Sequence, residues 1–396
     1  MTVLTTTVGK IGARASSHAI GFHVELLSDW TRAMARWGAF DPPTAFQHPQ
    51  WYASWYAAFA AAPGVDPLIA VITDAATGER VALLPLIRRQ QGGIRIIEVA
   101  ALDLTDYNAP LLGPAAPRDA AAARLLWRDL RAALRKSAGG ADLVRLRKVP
   151  AELGGRPNPL TALDAAGPCS LNGNPILTGD DYDAWRYTLD KTVRKELERN
   201  WRVFTRDHSA AFRIAADADE ALEILSTLEV QQASRMTSLG LNFILNEENC
   251  AAFYRGLVRD SIGNGYTVVT ALTAGEEVVA TLLGIRTGTR YVMIRISNAG
   301  GKWSNSSPGR LIIERTMAAL HKDGVREFDL SIGNYSYKRR FKPERMPLVD
   351  LSAALTWRGR PYALRDRAVL ALRRYPKLTA WLKQLLGKSK PSREDY

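Results

Sequence analysis

The chain has 396 residues, 46% hydrophobic and 23% charged, which suits two ordinary cores better than one and excludes a disordered or fibrous chain. Its net charge of +13 raises nucleic acid as a partner, but Arg358 to Tyr396 holds eleven Lys and Arg against three acids; only +5 remains for the body, which is not expected to bind nucleic acid. Cys169 and Cys250 stand far apart with no His or second Cys at ligand spacing, which excludes a disulfide framework and a zinc site. Met1 to Ile20 is too polar for a signal peptide or membrane span, so a cytoplasmic protein is expected.

In chain order, Phe46 to Phe59 predicts a helix whose Trp51, Trp55 and Phe59 recur every four residues and face a core. His48, before Pro49, reads as a turn residue. Leu68 to Thr73 and Val81 to Arg88 predict a hairpin around Gly78, and Gly92 to Val99 a further strand. Ala120 to Ser137 is an amphipathic helix stopped by Gly139 and Gly140, with a strand over Ala141 to Leu146. Gly154 to Pro175 is rich in Gly and Pro, lacks periodicity, and predicts a linker.

Beyond it, Tyr182 to Phe204 predicts one charged helix and Phe212 to Ala215 a short strand. Asp219 to Leu239 and Cys250 to Ile262 predict two helices, and Tyr266 to Leu272 with Val278 to Arg286 a hairpin around Gly275. Tyr291 to Ser297 is a strand, Leu311 to Lys322 a helix and Glu327 to Leu330 a strand. Both halves thus place helices before a hairpin. Arg194, Lys195, Arg199 and Arg202 form a one-sided basic patch, by default a solvated face and in the sharper reading a seat for an anionic acceptor.

Ser306-Ser307-Pro308-Gly309-Arg310-Leu311 lies between a strand and a helix. Serine can cap, proline suits a first turn whose N–H is unpaired anyway, and glycine lets a ligand approach the backbone. The free amides and the positive helix end make an anion site suited to the pyrophosphate of coenzyme A, with Arg310 adding a charge-assisted contact. Alone, the segment is equally a well-capped helix start.

Extended, SSPGRLIIERTMAALHKDGVREFDLSIGNYSYKRRF resembles the signature of the GNAT acyltransferase branch that includes CelD-like cellulose- and exopolysaccharide-biosynthesis proteins and is related to the FemAB peptidyltransferases. Leu330 stands where that pattern has a second Phe. Phe46-Gln47-His48-Pro49 with Trp51, Leu84-Pro85-Leu86, Asp106-Tyr107 with Pro110, Arg194 to Arg202, and Gln231 to Gly240 with Arg235 extend the resemblance.

The resemblance implies an α/β fold of two tandem GNAT-like domains, each a mixed, mostly antiparallel sheet flanked by helices. They are expected over residues 22–153 and 176–357, with a linker over 154–175 and a basic tail over 358–396. It implies acyl-CoA as co-substrate, held by Ser307, Pro308, Gly309, Arg310 and Leu311, no metal, and an amine acceptor in the cleft between the domains near Tyr107, Glu229 and Arg235. The acceptor is an amino sugar of a surface polysaccharide or a membrane-lipid long-chain base. Asp329 and Tyr337 are candidates for proton handling or acceptor binding, Lys338 for charge stabilisation and Glu229 for a base. Each has an ordinary alternative: a cap or ion pair for Asp329, a core position for Tyr337, a solvated helix face for Glu229. A non-catalytic GNAT-shaped component of exopolysaccharide assembly is the alternative function, and an aminoacyl-tRNA donor a further one that the body's small charge disfavours.

In the tail, Leu364, Ala368, Leu372, Tyr375, Leu378, Leu382 and Leu385 fall near one helical face, with Pro376 dividing the helix. This basic amphipathic element suits an anionic membrane surface, with Tyr375 and Trp381 at the interface, or packing of its apolar face on the second domain. A cyclic dinucleotide at Arg373-Arg374 is a third use.

Overall fold

The computed structural model describes residues 21–241, 245 and 247–373. The first half runs β1 (Phe22–Leu27), α1 (Trp30–Trp37), α2 (Pro49–Phe59), β2 (Asp66–Pro67), β3 (Ile69–Asp74), β4 (Arg80–Leu84), β5 (Leu86–Gln91), β6 (Ile94–Val99), β7 (Leu111–Leu112), α3 (Ala120–Lys136), β8 (Leu143–Pro150), β9 (Glu152–Leu153), β10 (Arg156–Pro157) and β11 (Ala166–Gly173). The chain continues through β12 (Pro175–Leu177), α4 (Tyr182–Thr188), α5 (Lys191–Phe204), β13 (Ala210–Ile214), α6 (Ala218–Ser238), α7 (Glu248–Ser261), β14 (Thr267–Ala274), β15 (Glu277–Thr287), β16 (Arg290–Asn298), α8 (Pro308–Lys322), β17 (Glu327–Asp329), α9 (Ser336–Arg339), β18 (Met346–Ala354) and α10 (Arg360–Arg373).

The strands form two mixed, mostly antiparallel arrays flanked by helices, in line with the expected fold class. The strand predicted over Val81 to Arg88 is two. At Pro85, which has no N–H to give a ladder, the chain leaves the β1-β3-β4-β7 sheet and continues as β5 in the sheet ordered β11-β18-β8-β6-β5-β2. The second array is β12-β17-β16-β15-β14-β13.

The arrays repeat one motif. From β1 the first passes through β3, β4 with β5, and β6, steps in parallel to β8, continues antiparallel to β18, and has β11 beyond it at the edge. From β13 the second passes through β14, β15 and β16, steps in parallel to β17, and ends antiparallel at β12. The helix pair α1 and α2 matches α6 and α7, and α3 matches α8, each lying between the strands of a parallel step.

The strand that follows each parallel step comes from the other half of the chain. β12 follows β11 of the first array across the single residue Asn174, yet pairs with β17; β18 follows the second array, yet pairs with β8 and β11. The segment expected as a linker over 154–175 therefore holds β10 and β11, and the range 176–357 returns to the first sheet over Met346–Ala354. Glycine content disguised β11. A Cβ on Gly173 would lie 2.5 Å from the Tyr107 hydroxyl and 2.6 Å from Met346 Cε, so the residue is there for close approach rather than for a loop. The single helix expected over Tyr182 to Phe204 breaks where Leu189 turns extended and buries its side chain. β1, α1 and β18 carried no reading from the sequence.

The apolar stripe Trp51, Trp55, Phe59 does face a core, and that core lies between the halves. Trp51 meets Phe253 of α7 edge-on at 5.0 Å, and Tyr266 donates its hydroxyl to the Ala45 carbonyl at 2.8 Å. His48 caps α2, its Nδ1 accepting from the Gln50 amide, and stacks on Tyr266 at 4.1 Å. With shared strands and a shared core, the halves are expected to unfold together. Phe253→Ala should cost about 3–5 kcal/mol in urea titration and lower a single transition seen alike by probes in both halves; two separated transitions would contradict this.

Candidate active site

β16 and β17 pair in parallel only over Arg290↔Glu327, Tyr291↔Phe328 and Val292↔Asp329. β17 then ends, while β16 runs on to Asn298 against β15. A bulge opposite Leu283 and Gly284 bends β16 at this point, and beyond it the edge facing β17 has backbone groups without a ladder partner. Gln232 of α6 approaches there, donating to the Ile296 carbonyl at 2.9 Å and accepting from Arg295 at 2.6 and 3.0 Å.

From the end of β16 the chain turns through Gly300 and Gly301, both at positive φ, into α8. Pro308 takes the first turn, as predicted. Ser307, however, is not the side-chain cap that the sequence suggested: it adopts a left-handed conformation (φ 47°, ψ 58°) and makes no capping bond. Its hydroxyl accepts from Arg310 at 2.8 Å, and its carbonyl accepts the amides of Arg310 and Leu311 at 3.0 and 3.2 Å. The first-turn amide of Gly309 has no acceptor among the described residues. A Cβ on Gly309 would press on the Asn298 side chain at 3.3 Å, so glycine keeps the helix start against the end of β16. Leu311 is buried and anchors α8 in the core. Arg310 pairs with Glu196 of α5 at 2.6 Å, and Arg340 binds the same carboxylate.

The matching helix start in the first half is different. Asp119 caps α3, its carboxylate accepting from the Ala121 and Ala122 amides at 2.9 Å each. A negative side chain on these amides closes that helix start to anions, whereas the α8 start stays open.

Asp329 stands where β16 and β17 part and is 4% exposed. The Tyr107 hydroxyl donates to its Oδ2 at 2.5 Å, and the amides of Ser331 and Asn174 reach Oδ1 at 2.7 and 3.4 Å. Asn174 also donates through its side chain to the carbonyls of Ser331 and Gly333. Asp106 accepts from the Ser331 hydroxyl and lies 3.9 Å from Lys148 Nζ. Lys338 donates to the Ile332 carbonyl at 2.6 Å. Two carboxylates, two lysines and a phenol thus meet where the chain crosses between the sheets.

Burial pushes the Asp329 carboxyl up to about 6, against the opposing pull of the Tyr107 hydroxyl and the two amides. Burial likewise raises Asp106, with Lys148 opposing. Lys338 is pushed down to about 8 by burial, with Asp106 and Asp329 resisting. The Tyr107 phenol is raised by burial and then by the Asp329 charge.

Of the candidates named from sequence, Tyr107, Asp329 and Lys338 are brought into this cluster. Tyr337 lies beside it, half-buried, its ring stacked on Tyr335 at 5.9 Å, and Arg235 is close enough to bear on its ionisation. Ser307 to Arg310 lie at the α8 start, across the parted strands. Glu229 is neither on a solvated face nor in the cluster: it is a strut, 2.5 Å from Arg255 and 3.9 Å from Arg295. Lys148, Asn174 and Ser331 had no signal in the sequence; Asp106 had one, its place beside Tyr107.

Residues 191–339 match the model of a family described as an acetyltransferase (GNAT) domain, a range that spans α5 to α9. No curated protein matches the chain. Among solved structures, a tandem GNAT protein from the clavulanic acid biosynthesis pathway is similar at 13% identity over 85% of this chain and 99% of that one, TM-score 0.47. A GCN5-related N-acetyltransferase from Sphaerobacter thermophilus is similar at 11% identity over 84% and 96%, TM-score 0.39. FemX is similar at 7% identity over 83% of this chain and 96% of that one, with a TM-score of 0.55, a likeness of fold. Residues 191–339 thus match a GNAT domain, and the first half repeats the same strand and helix order, so that the fold is two tandem GNAT-like units.

Proposed function

We propose that this chain transfers an acyl group from an acyl-CoA to an amine. The observation that carries the reading is the uncapped start of α8 beside the parted strands, set against the same helix start in the first half, which Asp119 plugs. The Gly309 amide and the Arg310 guanidinium suit a diphosphate, for which Arg310 exchanges Glu196. The thioester supplies a carbonyl carbon open to attack and a thiolate that can leave. The unpaired edge of β16 beyond Val292 offers backbone donors for the negative charge that grows on that carbonyl oxygen.

The amine must lose a proton as it attacks. Asp329, ionised at neutral pH with a pKa of about 6, is the carboxylate placed to take it, and Tyr107 holds its orientation from the other half of the molecule. Lys338, tied to backbone carbonyls, fixes the 331–338 loop and balances the carboxylates. Tyr337 and Arg235 flank the acceptor side. The resemblance to the CelD-like branch supports an amino sugar of a surface polysaccharide as acceptor, and a long-chain base is the lipid equivalent. Thiol release from short- and long-chain acyl-CoA with amino-sugar and long-chain amines tests the activity. Mass spectrometry of glycans and lipids from a deletion strain names the acceptor. No turnover and no CoA binding would leave the non-catalytic alternative.

Arg310→Ala should raise KM for acyl-CoA about tenfold with little change in kcat, the loss expected of one charge-assisted contact made equally in ground and transition states. Glu196→Gln, which frees Arg310, should lower that KM; a rise in both variants would contradict the exchange.

The Asp329 pKa also sets two pH effects. In the pH profile of kcat/KM an acid limb near pH 6 is expected, and Asp329→Asn should abolish it together with most of the activity. The folded pKa lies above the unfolded value of about 4, so the native state holds a proton that the unfolded chain has released between pH 4 and 6. Stability from this group is therefore present below pH 4 and declines by about 3 kcal/mol as pH rises to 6. Urea titrations across this window should show that slope in the wild type and a flatter one in Asp329→Asn.

A further inference from the structure

We propose that the outer face of the first half, formed by α3, the turn at residues 357–359 and α10, docks on an anionic phospholipid bilayer. Arg124, Arg131 and Arg135 follow one face of α3, and Arg360 and Arg367 one face of α10. No carboxylate among the described residues pairs with any of the five, while Arg128 between them is neutralised by Asp129. They line two adjoining clefts of about 390 and 470 Å³ that share Arg131, Arg135 and Arg367. Arg131 donates one Nη to the Ala354 carbonyl at 2.8 Å, and its Nε is buried without a partner. Burial, then the neighbouring Arg135 and Arg367, push its pKa down, the mark of guanidiniums gathered without counter-charge. The one acid on the cleft walls is Asp164.

The same face carries apolar groups in the open. Trp357 is 76% exposed and Leu364 65%, and both stand on the wall of the first cleft. Of the two expectations for this stripe, a membrane surface or packing on the second domain, the second is not met over the described residues: α10 seats on the first-half sheet through Ala363 and Leu370, which turns Leu364 and Ala368 outward. The tail positions from Tyr375 onward lie outside the described residues. Arginines alone would suit any polyanion. Arginines ringed around an exposed tryptophan and leucine suit a bilayer interface, where phosphates meet the first and acyl chains the second. No described helix is long and apolar enough to cross a membrane, so such a face would rest on the surface. The proposal does not depend on the reaction.

Sedimentation of the full chain with phosphatidylcholine vesicles, with and without about 30% phosphatidylglycerol, tests it. Binding is expected to the anionic vesicles alone and to weaken in high salt. A variant combining Arg131→Gln, Arg135→Gln and Arg367→Gln should lose binding about tenfold or more, as several charges near the surface are removed. Trp357→Ser should weaken it at unchanged charge. A charge-matched variant of α5, with Lys195→Gln, Arg199→Gln and Arg202→Gln, should bind as the wild type does, and equal thermal midpoints confirm that all are folded. The idea is overturned if the wild type ignores anionic vesicles or binds neutral ones as well, or if the α3–α10 variant binds undiminished. It is equally overturned if the α5 variant loses as much, or if competing RNA removes binding while Trp357→Ser leaves it intact.

Discussion

Between Gly173 and Pro175 one residue carries the chain from the first sheet to the second, and between Asp329 and Met346 the chain returns. The two crossings lie side by side and are held by a single buried carboxylate. Asp329 receives the Asn174 amide from one crossing, the Ser331 amide from the other and the Tyr107 hydroxyl from the first-half loop. A carboxylate taken out of water is costly unless its oxygens are hydrogen-bonded, so these three donors are a condition of burying it. In meeting that condition the chain fixes where the two halves stand relative to one another. Tight binding by donors and a raised pKa coexist because burial outweighs the hydrogen bonds.

The duplicated motif then gives the two halves a common frame and different chemistry. Each array has one parallel step, and in each the parallel strands pair for only two or three residues before they separate. Each parallel step is bridged in the chain by a helix, α3 in the first array and α8 in the second. At α3 the amides are satisfied by the Asp119 carboxylate; at α8 proline and a left-handed serine leave an amide free. The difference lies in the cap itself, its side chain and its local backbone, rather than in the order of strands and helices. One helix start is therefore closed by its own carboxylate, while the other carries no side-chain cap.

The strand exchange also explains how charge is distributed. Because β18 completes the first sheet, α10 follows it onto that sheet and lies near α3, bringing arginines of distant sequence into one surface. The acids that could neutralise them are engaged elsewhere: Asp366 holds Arg145 at 2.7 Å, and Asp350 holds Arg373 at the same distance. The outer face is basic by placement, and the cluster between the halves is balanced by placement.

How much of this was legible in the sequence varies with the range of the interaction. Local signals survived: the Trp51, Trp55, Phe59 period marked a buried helix face, glycines marked the hairpins, and Pro308 marked the start of α8. The pairing of Tyr107 with Asp329, 222 residues apart, was suggested only by each residue lying in a familiar pattern. Interactions of still weaker local signature were not legible. β18 pairs with β8 across about two hundred residues, Gly173 is a contact point rather than a hinge, and Asn174 is the crossing itself. Ser307 looked like a cap because its identity suits one; the left-handed conformation it adopts before Pro308 took that role away.

By itself, then, the sequence determined the helix and strand types over most of both halves, the basic composition of the tail and the place where α8 starts, because these depend on periodicity, composition and residues a few places apart. Tertiary structure alone decided which sheet each crossing strand joins, that Asp329 is buried and Glu229 held as a strut, and that Leu364 faces outward. Burial and pairing in those places depend on partners far away in the chain, whose positions no local pattern encodes.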